Sequence, residues 1–370
     1  MSDAAQHPRA DHSLNVLRPP AEQRFAEELT RLAAEDRWAR PAGWRLSPRM
    51  VEAFIMGDPR LGIRPKYVGD RALIQVAIAT LASDRALLLI GEPGTGKSYL
   101  SEHLAAAICG TSQLTIQGTA GVTEDQIKYS WNYALLLAEG PSDRALVPSP
   151  LLIAMRTGRI ARFEELTRCP SEVQDALISV LSEKAMAIPE LERVELAQRG
   201  FNLIATANTR DRGVHEMSAA LRRRFNFVEL PVISDLQQEI EIVERRTREL
   251  MEDFDIQVDI PRETVEALVT IFQELRQGQT IDGSQKVKRP STVMSTAEAI
   301  STLFTGCLLA SYFGSGRVGG QELLRTLIGA VSQEDPSDLE ALMDYIETVI
   351  KRRKGKVWSD LYRLKSQLKR

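Results

Sequence analysis

The run Ala86-Leu87-Leu88-Leu89-Ile90 leads directly into Gly91-Glu92-Pro93-Gly94-Thr95-Gly96-Lys97-Ser98. An apolar run without alternation reads as a strand buried on both faces, as in a parallel sheet. The next residues fit the pattern G-x-x-x-x-G-K-[ST], and a helical pattern continues from there to about Cys109. Strand, glycine-rich turn and helix is the order that a phosphate-binding loop requires. Glycines let the backbone curl so that successive N–H groups point inward at phosphate oxygens. The helix presents the positive end of its dipole to the same anion. The expected nucleotide-binding residues are Gly91, Glu92, Pro93, Gly94, Thr95, Gly96, Lys97, Ser98 and Tyr99. Lys97 brings a full charge toward the β- and γ-phosphates of ATP, and the Ser98 hydroxyl is a candidate Mg²⁺ ligand.

Downstream the alternation of strand and helix repeats. Strand candidates are residues 113–117, 159–163, 201–207 and 227–230, separated by helical stretches such as 171–183. That alternation implies right-handed crossovers and a parallel α/β sheet flanked by helices. After Pro231 the strand signal stops, and residues 234–252, 264–277, 292–309, 320–332 and 336–351 read as helices. Ser337 and Glu340 form a candidate capping box for the last of these. The organisation expected is an N-terminal tail and helical extension over 1–66, an α/β nucleotide-binding domain over 67–233 and an all-α domain over 234–370. In the extension, Phe25, Leu29, Leu32 and Ala33 recur at helical spacing, and Ser47-Pro48 opens a second helix with a capping serine and a first-turn proline.

Three further segments carry chemistry. Arg159-Ile160-Ala161-Arg162-Phe163-Glu164-Glu165 is a short strand ending in two carboxylates, the Walker B arrangement. The first acid, Glu164, is a candidate to hold Mg²⁺, and the second, Glu165, to orient or deprotonate the attacking water. An aspartate is usual at the first position, so Glu164 is a departure that puts metal geometry and hydrolysis rate in question. The strand ending Ala205-Thr206-Ala207-Asn208 aims Asn208 at the same sheet edge, where an amide can sense the γ-phosphate or its attacking water. In Ala220-Leu221-Arg222-Arg223-Arg224-Phe225, one guanidinium can reach a neighbouring subunit's nucleotide and stabilise charge on the transferred phosphoryl group. Arg224 is the first choice and Arg222 the second; a solvated charged face is the alternative.

Composition limits the rest. The chain has 370 residues, 43% hydrophobic and 6% aromatic, with 47 basic against 50 acidic side chains and a net charge of -3. That balance makes no global electrostatic case for nucleic acid. No apolar run approaches the ~18–20 residues that span a bilayer, and residues 1–20 carry no apolar signal-peptide core. Cys109, Cys169 and Cys307 are far apart, which argues against a disulfide framework or zinc site and for reduced thiols in a cytoplasm. His103, inside an apparent helix, reads as structural.

Taken in order, GEPGTGKS at 91–98, IARFEEL at 160–166, QDALISVLSEK at 174–184, IATANTRD at 204–211 and ALRRRF at 220–225 resemble the MoxR family of AAA+ ATPases, in particular its YehL-type branch. The resemblance covers about residues 67–370. It implies a P-loop AAA+ core followed by an all-α lid, and a hexameric ring with nucleotide between subunits. It also implies chaperone-like action or maturation of a client protein, one with a von Willebrand factor A domain among the candidates. Residues 130–150 look like the family's insertion, and a hairpin is expected over 185–200. Trp131 and Tyr133 are then candidate contact residues or, equally, core rings. The family's lid motif Ser-Thr-Arg reads Ser291-Thr292-Val293 here, so its arginine is missing; Arg289 and Lys288 are candidate substitutes. Two other readings stay open. One is a nucleic-acid translocase, on the basic run Lys351-Arg352-Arg353-Lys354-Gly355-Lys356 continuing to Lys369-Arg370. The other is a nucleotide-gated scaffold that barely hydrolyses.

Overall fold

The computed structural model describes residues 16–208, 215–331, 335 and 338–366. Its strands are β1 (Ala86–Gly91), β2 (Thr115–Gln117), β3 (Tyr129–Trp131), β4 (Leu146–Pro148), β5 (Ile160–Glu164), β6 (Ala185–Ile188), β7 (Arg193–Leu196), β8 (Asn202–Asn208) and β9 (Phe225–Glu229). Five of them form one sheet in the order β2-β5-β8-β1-β9. The pairings of β2 with β5, β5 with β8 and β1 with β9 are all parallel. This is the parallel α/β sheet that the apolar runs imply, with each expected strand displaced by one or two residues. The Phe225–Glu229 strand begins earlier than expected because Phe225 is itself buried against the sheet core. Alternate side chains of β1, β5 and β8, among them Leu88, Phe163 and Leu203, form one core with Leu152, Met155 and Leu177. The expected helix at 171–183 is two, Ser171–Asp175 and Leu177–Glu183.

Contacts divide the chain into two compact units, residues 1–90 with 97–229 and residues 91–96 with 230–370. In the first unit the N-terminal helices Ala26–Glu35 and Pro48–Met56 bury Leu29, Leu32, Val51 and Phe54. Ser47 caps the second of them, accepting from the Met50 N–H. The extension docks through Glu102, which accepts from the Ala21 N–H at 3.1 Å, and Glu22, which accepts from the Ser112 hydroxyl at 2.7 Å. His103 stacks among Phe25, Phe54 and Tyr99. The two small hairpins, β3 with β4 and β6 with β7, are antiparallel. The second is the hairpin expected over 185–200.

The second unit packs helices Leu236–Asp253, Arg262–Gln277, Thr296–Phe313, Gly320–Val331, Asp338–Thr348 and Lys356–Leu364 around Phe272, Leu303, Leu324 and Tyr345. The helix expected from 292 starts at Thr296 for a concrete reason. The Asp338 carboxylate accepts from the backbone N–H and hydroxyl of both Ser291 and Thr292, holding that segment out of the helix. Ser295 then caps it in a capping box with Glu298. Ser337, the other expected cap, lies outside the described residues. No helix among the described residues is long and apolar enough to cross a membrane.

Buried Asn202 at the start of β8 donates through its amide to the carbonyls of Leu81, Ser83 and Arg85 at 3.1–3.2 Å, the turn that feeds β1. Replacing it leaves those acceptors unsatisfied. Asn202→Ala is expected to lower stability by about 2–3 kcal/mol, read as a lower denaturant midpoint in circular dichroism.

Candidate active site

The site begins with the loop between β1 and the helix Lys97–Cys109. Gly94 has φ 75° and Gly96 φ 84°, left-handed values that side-chain-bearing residues avoid. A Cβ on Gly96 would meet nothing within 4 Å, so the backbone angle alone calls for glycine there. Thr95 closes the turn, its hydroxyl donating to the Glu92 carbonyl at 2.9 Å. Lys97, first residue of the helix, is buried, while Ser98 is exposed. The Tyr99 ring centroid lies 3.9 Å from that of His103.

Glu164 ends β5 and is 5% exposed, yet every donor it needs is supplied. Its Oε2 accepts from Ser98 Oγ at 2.6 Å and Thr206 Oγ1 at 2.8 Å. Its Oε1 accepts from Ser101 Oγ at 2.6 Å and from the Arg162 guanidinium at 2.7 Å. Burial pushes the Glu164 carboxyl up, but Arg162 and the hydroxyls of Ser101, Ser98 and Thr206 outweigh it and hold the group below the ordinary carboxylate range. The carboxylate and hydroxyls gathered here are hard oxygens, the ligand type that Mg²⁺ takes, so the set fits that ion.

Glu165 sits at φ 56°, an uncommon angle for a residue with a side chain. The turn separates the two acids: Glu164 points into the protein, while the Glu165 side chain is about a third exposed and pairs with Arg168 at 2.6 Å. Thr206 serves both, since its hydroxyl also accepts from the Glu165 N–H at 2.9 Å. Asn208 ends the neighbouring β8 and is half-buried. Thr209, Arg210 and Asp211 of the same motif lie outside the described residues.

The arginine cluster separates. Arg224 donates to Ser182 Oγ at 2.8 Å and to the Ala220 carbonyl at 2.5 Å, so its guanidinium is tied within its own chain. Arg222 and Arg223 are exposed, Arg222 lying over the Phe227 ring. In the helical unit, Arg289 donates to the Gln277 carbonyl and Lys288 lies 3.9 Å from Glu340. Trp131 and Tyr133 differ: Trp131 packs partly buried against the sheet core, whereas Tyr133 is 70% exposed.

Sequence reasoning passed over Arg162, Ser101, Thr206 and Gly118. A signal existed for the first two. An arginine two residues before an acid shares its face of a strand, and Ser101 lies one helical turn after Ser98. Gly118 has no local signal. Its N–H donates to the Glu164 carbonyl at 2.7 Å, and a Cβ there would stand 2.3 Å from the Glu165 carbonyl oxygen.

A parallel sheet with a glycine-rich loop after its first strand and an acid–hydroxyl pair beside it defines a P-loop nucleotide-binding protein. Residues 86–225 match the AAA domain of the dynein-related subfamily, and residues 237–369 match the YehL-like AAA+ ATPase C-terminal domain. The chain is 43% identical over 359 residues to the uncharacterized protein YehL of Escherichia coli K12, covering 96% of this chain and 98% of YehL. It is 26% identical over 282 residues to the gas vesicle ATPase GvpN of Haloferax mediterranei, covering 70% and 74% of the two chains. Among solved structures it resembles ADP-bound NtrX of Brucella abortus at a TM-score of 0.49 and 13% identity, covering 82% and 70%. The chain belongs to the YehL-like AAA+ ATPases.

Gly118→Ala must push the Glu164–Glu165 turn aside, because the obstructing atom is backbone. A displacement near 1 Å at a reacting centre costs about 100-fold. ATP turnover is expected to fall by about that factor, with far-UV circular dichroism unchanged.

Proposed function

We propose that this chain hydrolyses Mg²⁺-ATP and uses the turnover to remodel a partner protein, in the manner of MoxR-type AAA+ ATPases. The observation that carries the reading is the 2.6 Å bond between Ser98 Oγ and Glu164 Oε2, which joins the phosphate-loop helix to the acid that ends β5. In this reading the backbone of residues 91–98 holds the phosphates, with Lys97 neutralising their charge. Ser98 and Glu164 hold Mg²⁺, and the ion supplies Lewis-acid stabilisation of the phosphate oxygens. Glu165 orients the attacking water, and Asn208, at the tip of the adjacent strand, senses the γ-phosphate. Family membership and the gas vesicle ATPase among the relatives support turnover in general.

The working form we propose is a ring, a hexamer by family resemblance, in which an arginine after Leu221 stabilises charge on a neighbouring subunit's nucleotide. Arg224 is tied to Ser182 and Ala220, which favours exposed Arg222 or Arg223 as the residue that reaches a neighbour's nucleotide. The client is a protein, with a von Willebrand factor A domain as the leading candidate, and the setting is cytoplasmic. A nucleic-acid track is disfavoured because part of the basic run is used internally: Arg353 pairs with buried Glu274 and stacks on Trp358 at 4.5 Å. One observation favours the scaffold reading. Glu165 is held by Arg168 at 2.6 Å, a contact that has to open before the carboxylate can serve a water.

Glu165→Gln keeps the shape and removes the base. It is expected to retain ATP affinity while lowering turnover by about 10²-fold or more, and to enrich the assembled ring in mass photometry with ATP. Undiminished turnover would reject Glu165 as the base; wild-type protein that binds ATP but shows no hydrolysis in a single turnover would select the scaffold.

A further inference from the structure

P-loop enzymes commonly hold their metal with a Walker B aspartate. Glu164 is longer by one methylene and one rotatable bond, so its carboxylate should wander. Instead its two oxygens have separate duties. Oε1 faces Ser101 and Arg162, at 2.6 and 2.7 Å, while Oε2 faces Ser98 and Thr206, at 2.6 and 2.8 Å.

Arg162 is anchored by more than the acid it holds. Its Nε donates to Ser101 Oγ at 3.0 Å, and its two terminal nitrogens donate to the carbonyls of Ser112 and Ser98 at 3.0 and 3.1 Å. These bonds tie the guanidinium to the loop before β2 and to the helix that starts at Lys97. It is 8% exposed and cannot follow the carboxylate if the carboxylate turns. A planar fork locked at several points suits this task in a way a single ammonium does not.

We infer that Arg162 is a positioning residue for Glu164: it captures Oε1 and thereby presents Oε2, alone, beside the Ser98 hydroxyl as the oxygen available to a divalent cation. The inference rests on the proposed Mg²⁺-nucleotide reading of the site. It makes a prediction of opposite sign to simple charge screening. A guanidinium that merely neutralised Glu164 would weaken cation binding, so removing it would tighten the cation. A guanidinium that positions the acid strengthens cation binding, so removing it loosens the cation.

The test is calorimetric binding of ADP to the full chain, in magnesium and in EDTA. In the wild type, magnesium is expected to tighten ADP binding. In Arg162→Met that gain, taken as the ratio of each variant's own affinities in magnesium and in EDTA, is expected to shrink about tenfold or more, the size typical of losing a partner that orients a metal ligand. Adding Glu164→Asp to Arg162→Met is expected to recover part of the gain, because a shorter acid needs no tether. Ser101→Ala removes an Oε1 donor and one anchor of Arg162 without changing charge; it is expected to lose part of the gain, and it provides the readout if the methionine variant does not fold. A magnesium gain that is undiminished or larger in Arg162→Met, or undiminished in Ser101→Ala, overturns the inference while leaving the nucleotide reading intact. A wild-type chain that binds ADP without any magnesium effect overturns the metal reading itself, and the inference with it.

Discussion

A carboxylate removed from water at the end of a central strand has to be met donor for donor, because an uncompensated buried charge costs several kcal/mol. Glu164 meets that requirement with three hydroxyls and one guanidinium drawn from β5, β8 and the helix Lys97–Cys109. Arg162 extends the same network to Ser112 and Thr115 around β2. A buried ion pair of this kind adds little net stability, since desolvation offsets the attraction. What it secures is geometry: the strand ends and the helix start can adopt only arrangements that keep all the bonds. Most of what the site can do depends on that constraint.

Sheet order does the rest of the positioning. With β5 and β8 paired in parallel, their carboxyl ends emerge on one edge, where open α/β sheets bind ligands, and β1 lies next to β8. The acids and the amide of Asn208 therefore arise from neighbouring strands although 43 residues separate Glu165 from Asn208 in the chain. The helix carrying Lys97 and Ser98 is held from two sides. One side bears Ser98 and Ser101 on Glu164; the other bears Glu102 and His103 against the N-terminal extension. An appendage outside the sheet thus helps fix the helix that follows the glycine-rich loop.

Charge in the helical unit follows the same logic of internal matching. Glu239 and Glu274 are fully buried, and each is paired, with Arg276 and Arg353 respectively. Tyr345, the largest fully buried side chain among the described residues, donates to Glu274 at 2.5 Å. Arginines that look like a basic surface in the sequence are in part the partners of these acids.

Local physics made much of this protein legible from its sequence. A short apolar run without alternation that ends in a glycine-rich turn reads as a doubly buried strand, glycines at 94 and 96 supply the left-handed angles of the phosphate loop, and Ser47 caps the helix it precedes. Those features depend on residues a few positions apart. The tertiary structure decided what depends on distant residues meeting. Arg162 reads as a stray charge until Ser98, Ser101 and Ser112 surround it, and Gly118 as an ordinary loop glycine until the Glu165 carbonyl lies against it. Ser291 and Thr292 read as a helix start until Asp338 takes their donors. Trp131 and Tyr133 are indistinguishable in the sequence, and only packing buries one ring and leaves the other in water. Burial and hydrogen-bond satisfaction are properties of the assembled neighbourhood, so no local pattern encodes them.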